Sequence, residues 1–225
     1  MFYHYKFWHS LTHPTSFTQI VENGEMTGYK KRAFTIFILC IFLFMAREFW
    51  GLGTESLTTL FAMDVHDDYY MARLLSMVGA VLWAILYFCF HYYGITYFIH
   101  LVTEIPYKWI QKVQLYVVTF LLLEKAILFA VFYGVGYSTT FSFLSLAPLA
   151  QQMIDTDFVL FAINQLTVAT VLTIVVQYTF LSKWEEETSR KALLAKIIVL
   201  QIFMALFVGM ISVLPLQEWL IRGLG

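Results

Sequence analysis

Residues 113–137 read VQLYVVTFLLLEKAILFAVFYGVGY, and the environment of this stretch decides the fold. A helix of about 20 apolar residues is long enough to cross the hydrocarbon core of a bilayer, and this run exceeds that. At its middle stand an acid and a base, Glu124 and Lys125. On the surface helix of a soluble domain such a pair would be trivial. In a membrane span it would be the most expensive feature of the chain.

Composition chooses between the two. Hydrophobic residues make up 60% of the 225 and charged residues only 13%, against about 45–50% and 25% in soluble domains. Too little polar surface is available to clothe a soluble core, so the sequence predicts an integral membrane protein. The net charge of −1 carries little information, because what matters is where the charges lie. No nucleic-acid partner is expected.

Four further apolar runs accompany the first, giving five predicted spans at about 33–50, 74–97, 113–137, 158–181 and 193–216. The first is the weakest, since Arg47 and Glu48 sit near its end. Basic residues near span ends stay cytoplasmic. Lys6, Lys30, Lys31 and Arg32 precede the first span, Lys108 and Lys112 separate the second and third, and Lys183, Arg190 and Lys191 separate the fourth and fifth. The alternate loops carry Glu55, Asp64, Asp67 and Asp68, then Asp155 and Asp157. The expected fold is therefore an all-α, five-span membrane bundle with its N-terminus cytoplasmic and its C-terminus outside.

The expected organisation is a cytoplasmic arm, 1–32, followed by one membrane domain, 33–225. No cleavable signal peptide is expected, because the first apolar run begins only at Ala33. Within the arm, Pro14 suits a first helical turn, Phe17, Ile20 and Val21 share a face, and Gly24 makes a stop. This short amphipathic helix could lie on the cytoplasmic leaflet or tuck beneath the bundle.

Motifs for chemistry are few. Glu185, Glu186 and Arg190 fit an E-E-x-x-x-R pattern of intramembrane proteases, but no histidine follows His100, so the partners that would activate water are missing. Asp64, His66, Asp67 and Asp68 cluster without a defined ligand spacing. Cys40 and Cys89 fall inside apolar runs and read as buried thiols. The glycines of Gly134-Val135-Gly136 follow a helix rather than a strand, which makes a helix end and not a phosphate cradle. No enzyme, metal or cofactor is expected.

The polar groups inside the predicted membrane domain are what remains. Consecutive helical residues point about 100° apart, so Glu124 and Lys125 cannot pair well and each should seek a partner elsewhere. Asn164, Gln165, Gln177 and Gln201 on the later spans are the candidates. Ala126, Ala130 and Gly134 form a small-xxx-small ridge on another side of the same helix, and Ala205 and Gly209 form a similar strip on the fifth. The third span should therefore be the central helix, contacting protein on at least two sides.

The layout of five spans behind a cytoplasmic arm resembles the bacterial branch of the YIP (Ypt-interacting protein) membrane family. The arm is similar in carrying an aromatic, a spaced proline, then Phe and Ile ahead of a basic stretch, here Trp8, Pro14, Phe17, Ile20 and Lys30 to Arg32. The resemblance implies a non-enzymatic protein of the bacterial cytoplasmic membrane and brings no catalytic residues. Some of that branch are similar to accessory proteins of ABC transporters, including exporters of antimicrobial peptides. The expected partners are membrane lipids and another integral membrane protein, an ABC transporter permease first among them. The alternative is a small carrier using Glu124 as an intramembrane proton or cation site.

Overall fold

Helix boundaries follow local sequence signals closely. In the computed structural model, which describes residues 2–4, 7–23, 25–52, 66–185 and 190–214, two short helices lead the chain, α1 (Phe7–Thr12) and α2 (Pro14–Asn23). The long helix α3 (Tyr29–Trp50) starts after Gly28 and stops at Gly51, both in the left-handed region with φ 84° and 101°. A side chain there would strain the backbone, so glycine sets both ends. Next comes α4 (His66–Cys89), which runs through a π-helical turn at Phe90–Gly94 into α5 (Ile95–Val102). Pro106 then caps α6 (Tyr107–Val135), and Gly136 ends it at φ 82°. The remaining helices are α7 (Ala147–Ala150), α8 (Asp157–Ile163), α9 (Val168–Leu181) and α10 (Arg190–Ser212).

Among the described residues, four helices are long and apolar enough to cross a membrane: Tyr29–Trp50, the continuous rod Tyr69–Val102, Tyr107–Val135 and Arg190–Ser212. The chain is a helical membrane protein. The stretch 158–181, read from sequence as one continuous span, is instead two helices, α8 and α9, joined by a turn. The Thr167 side chain accepts from the Thr170 amide, and the Thr170 hydroxyl returns to the Thr167 amide, a reciprocal cap that starts a new helix. At 14 residues α9 is about 21 Å long, too short by itself for a full crossing.

The pairs α3–α4 and α6–α9 run antiparallel. Cys40 donates to the Ala84 carbonyl (3.6 Å) and Arg73 to that of Phe49 (2.7 Å), which pairs α3 with α4. Likewise Gln114 meets Gln177 and Glu124 meets Ala169, which pairs α6 with α9. Tyr29 reaches Tyr92 and the Gln111 carbonyl, and Lys196 reaches the Val102 carbonyl. These ties gather Lys30, Lys31, Arg32, Lys108, Lys112, Lys183, Arg190, Lys191 and Lys196 at one end of the bundle.

The N-terminal helices are built into that basic end. A short parallel pair of strands, β1 (Phe2–His4) and β2 (Glu25–Thr27), brackets them and is a small departure from an all-helical chain. Phe17 is fully buried, its ring edge-on to Tyr116 and Phe180 at 5.7 and 5.0 Å, while Tyr116 and Phe180 stack at 5.5 Å. The Tyr116 hydroxyl donates to the Phe7 carbonyl. Of the two positions open to α2, the chain adopts the one under the bundle, because Phe17 and Val21 bury against protein. Ile20 is half-buried, and Gly24 lies outside the described residues. One hydrophobic core holds Phe7, Phe17 and Val21 together with Ile36, Tyr116 and Phe180.

Candidate intramembrane polar site

The depth of Glu124 and Lys125 follows from the register of α3 against α6. Tyr29 lies opposite Gln111 at one end, and the Trp50 ring meets Tyr133 at 4.3 Å at the other. Glu124 and Lys125 therefore fall level with residues 41–43, close to the middle of α3.

Glu124 is buried, and its Oε2 accepts a hydrogen bond from the backbone amide of Ala169 at 2.9 Å. Ala169 is the second residue of α9, so the carboxylate sits on the positive end of a half-helix. The first amides of a helix have no partner within it, and the aligned peptide dipoles favour a negative charge there. The break before α9 thus creates the group that Glu124 needs. An unsatisfied amide in hydrocarbon costs several kcal/mol, and Glu124 removes that penalty.

Lys125 answers to different helices. Arg47 and His91, from α3 and the π-helical turn, lie within electrostatic range of Lys125, as does Glu124. Arg47 lies over the Phe44 ring at 5.6 Å and interacts with Tyr87 and Glu48. The Tyr87 ring lies 4.4 Å from that of His91. Glu48 accepts from the Ser76 hydroxyl. His91 itself stands in the π-helical turn, a distortion that places an extra residue in the rod and often marks functional sites. From sequence, Arg47 and Glu48 read as a span end, and nothing in the sequence places His91 beside them. The pairing of α3 with α4 brings them together, and the four-residue spacing of Tyr87 and His91 was the one local hint.

A second polar group lies toward the basic end. Gln177 donates to Gln114 at 3.0 Å, and Gln201 reaches Gln177 at 3.5 Å. Gln114 and Gln177 are fully buried, and Gln114 Nε2 and Thr173 Oγ1 have no hydrogen-bond partner among the described residues. Asn164 and Gln165 serve the helix break itself. Asn164 Oδ1 accepts from the Ser142 amide and the Ser145 hydroxyl, both at 2.9 Å, and the Gln165 carbonyl accepts from Thr170 at 2.6 Å. Asn164, Gln165, Gln177 and Gln201, expected as partners of Glu124 and Lys125, bond elsewhere. The partner of Glu124 is a main-chain amide, which side-chain inventory does not find.

The small residues separate into two kinds. Gly209 is buried, and a Cβ there would lie 2.9 Å from the Phe158 carbonyl and 3.0 Å from the Ala162 amide, so α8 and α10 meet backbone to backbone. Ala205, one turn earlier, is buried as well. On α6, by contrast, Ala126 is half-buried while Ala130 and Gly134 are exposed. Nothing lies within 4 Å of a Cβ built at Gly134. Cys40 is buried, whereas Cys89, expected to be buried, is exposed. Asp64 and 186–189 lie outside the described residues, as do the side chains of His66 and Asp68. Among the described residues no group of three His, Cys, Asp or Glu is placed to hold a metal.

No protein-family model, curated protein or solved structure matches this chain.

Proposed function

We propose that this is a non-enzymatic protein of the bacterial cytoplasmic membrane that acts by holding another integral membrane protein. The carrying observation is the small-residue ridge of Ala126, Ala130 and Gly134 on α6, whose last two members face outward. Small residues in series let a second helix approach closely, as Gly209 does for α8 within the chain. The same spacing on α6 is left bare. On this reading Glu124 serves assembly, fixing α9 beside α6 so that the ridge faces out. The chain crosses five times, with α8 and α9 as the broken fourth crossing, and the basic end is cytoplasmic under the positive-inside rule. The partner is an ABC transporter permease, as the layout and the arm residues Trp8, Pro14, Phe17 and Ile20 imply by their likeness to the YIP family.

Purification in gentle detergent followed by mass spectrometry tests this. A stoichiometric membrane partner that is lost from Gly134→Leu, with the variant still folded, is the expected result. A protein that purifies alone from both would end the reading.

A second reading rests on its own observation. A half-helix whose N-terminus meets a carboxylate inside the membrane, beside Arg47, His91 and Lys125, is a feature of carriers. A small carrier with Glu124 as its proton or cation site predicts pH-dependent uptake into liposomes holding this protein alone. Flux no higher than in empty liposomes removes it.

A further inference from the structure

A groove of about 540 Å³ opens at the basic end, between α1, the first turns of α3, and α6. Its exposed lining residues, Lys31, Arg32 and Trp8, make the mouth, and the buried Phe7 and Ile36 with half-buried Thr119 make the deeper wall. We infer that this groove binds one anionic phospholipid, its phosphate between Lys31 and Arg32 and an acyl chain running inward past Ile36 and Thr119.

Three observations carry the assignment, given that α3 is a span. First, Lys31 and Arg32 are exposed on the first turn of a helix that carries no further charge until Arg47, which puts them at headgroup level. Basic pockets between helices on the cytoplasmic side recruit anionic headgroups in this way. Secondly, the groove changes character along its length. Thr35 donates to the Lys31 carbonyl at 2.9 Å and Thr119 to that of Leu115 at 2.8 Å. Both hydroxyls are thus taken up by their own helices, and the inner wall offers a chain rather than a polar ligand. Thirdly, the wall is held in place. The Phe7 ring packs on Tyr116 at 4.5 Å, and the Arg32 guanidinium lies over it at 5.9 Å. Trp8, 65% exposed, is an amphipathic ring of the kind that settles at the membrane interface. A free phosphate would use the mouth and leave the apolar half of the groove idle.

Native mass spectrometry of the delipidated full-length protein, titrated with phosphatidylglycerol, phosphatidylcholine or inorganic phosphate, tests the site. One phosphatidylglycerol should be retained in preference to phosphatidylcholine, and millimolar phosphate should not displace it. A cation near the membrane surface contributes about five-fold in affinity, so Lys31→Gln should weaken retention about five-fold and the Lys31→Gln, Arg32→Gln pair about 30-fold. Lys30→Gln removes the same charge from an exposed neighbour that does not line the groove and should change retention less than two-fold. Thr119→Trp, which fills the inner half, should weaken phosphatidylglycerol binding with both cations intact. Lys30→Gln weakening binding as much as Lys31→Gln would reduce the site to diffuse surface charge and overturn the inference. So would equal retention of phosphatidylcholine, or displacement by inorganic phosphate, or a Thr119→Trp variant that binds normally.

Discussion

Replacing Glu124 tests whether the carboxylate holds α9 in place. Glu124→Leu removes the acceptor of the Ala169 amide, which is bonded at 2.9 Å and belongs to a residue only 2% exposed. A hydrogen bond to a charged group contributes about 1.5–3 kcal/mol net, and the helix-end charge adds about 0.3–1 kcal/mol. The orphaned amide has no water to turn to, so the loss should be about 2–4 kcal/mol. Glu124→Gln keeps an oxygen in the same place and forfeits only the charge, about 1 kcal/mol. At about 2–4 °C per kcal/mol for a chain of this size, the leucine variant should melt about 4–16 °C lower and the glutamine variant about 2–4 °C lower. Thermal unfolding in detergent, followed by tryptophan fluorescence, measures both. Hydrogen exchange across the first turn of α9 should quicken in the leucine variant alone. A leucine variant as stable as wild type, with slow exchange in that turn, would refute the argument, for it would mean the amide needs no acceptor.

Other substitutions probe the remaining contacts. Lys125→Met combined with Glu124→Gln should show a coupling of about 0.5–3 kcal/mol in a double-mutant cycle, because the Glu124 charge acts on Lys125; strict additivity would show that the two charges do not feel each other. Gly209→Val drives a side chain against the α8 backbone and should cost about 1–3 kcal/mol, whereas Gly134→Ala should leave the melting temperature of the isolated protein unchanged. Phe17→Ala opens a cavity between Tyr116 and Phe180 worth about 3–5 kcal/mol, and protease cleavage within 7–23 should rise sharply. Gln177→Leu strips Gln114 of its bond and should lower stability by about 1–3 kcal/mol, measured in the same melts.

The long elements were legible because hydropathy over about 20 residues is a strong signal and Gly136 marks the end of α6, whereas the boundaries at Gly28, Gly51 and Pro106 emerge only from the backbone. The break inside 158–181 was not, since apolar residues continue on both sides and the Thr167–Thr170 cap is a two-residue signal. The partner of Glu124 was hidden for the same reason: the amide of Ala169 becomes available only once that helix is broken. Arg47 and His91 were visible as residues but not as neighbours of Lys125, because their meeting depends on the register of α3, α4 and α6. Gly209 carried its own evidence, a small residue where two backbones touch. Ala130 and Gly134 look the same in sequence and face outward.

That contrast gives the most direct measurement of the proposed role. A photo-crosslinking residue at position 130, on the bare ridge of α6, is compared in living cells with one at position 75, an equally outward position on α4. The account predicts a discrete crosslink from position 130 to one integral membrane protein, abolished by Gly134→Leu, and none from position 75. Crosslinks to lipid alone from both positions would contradict it.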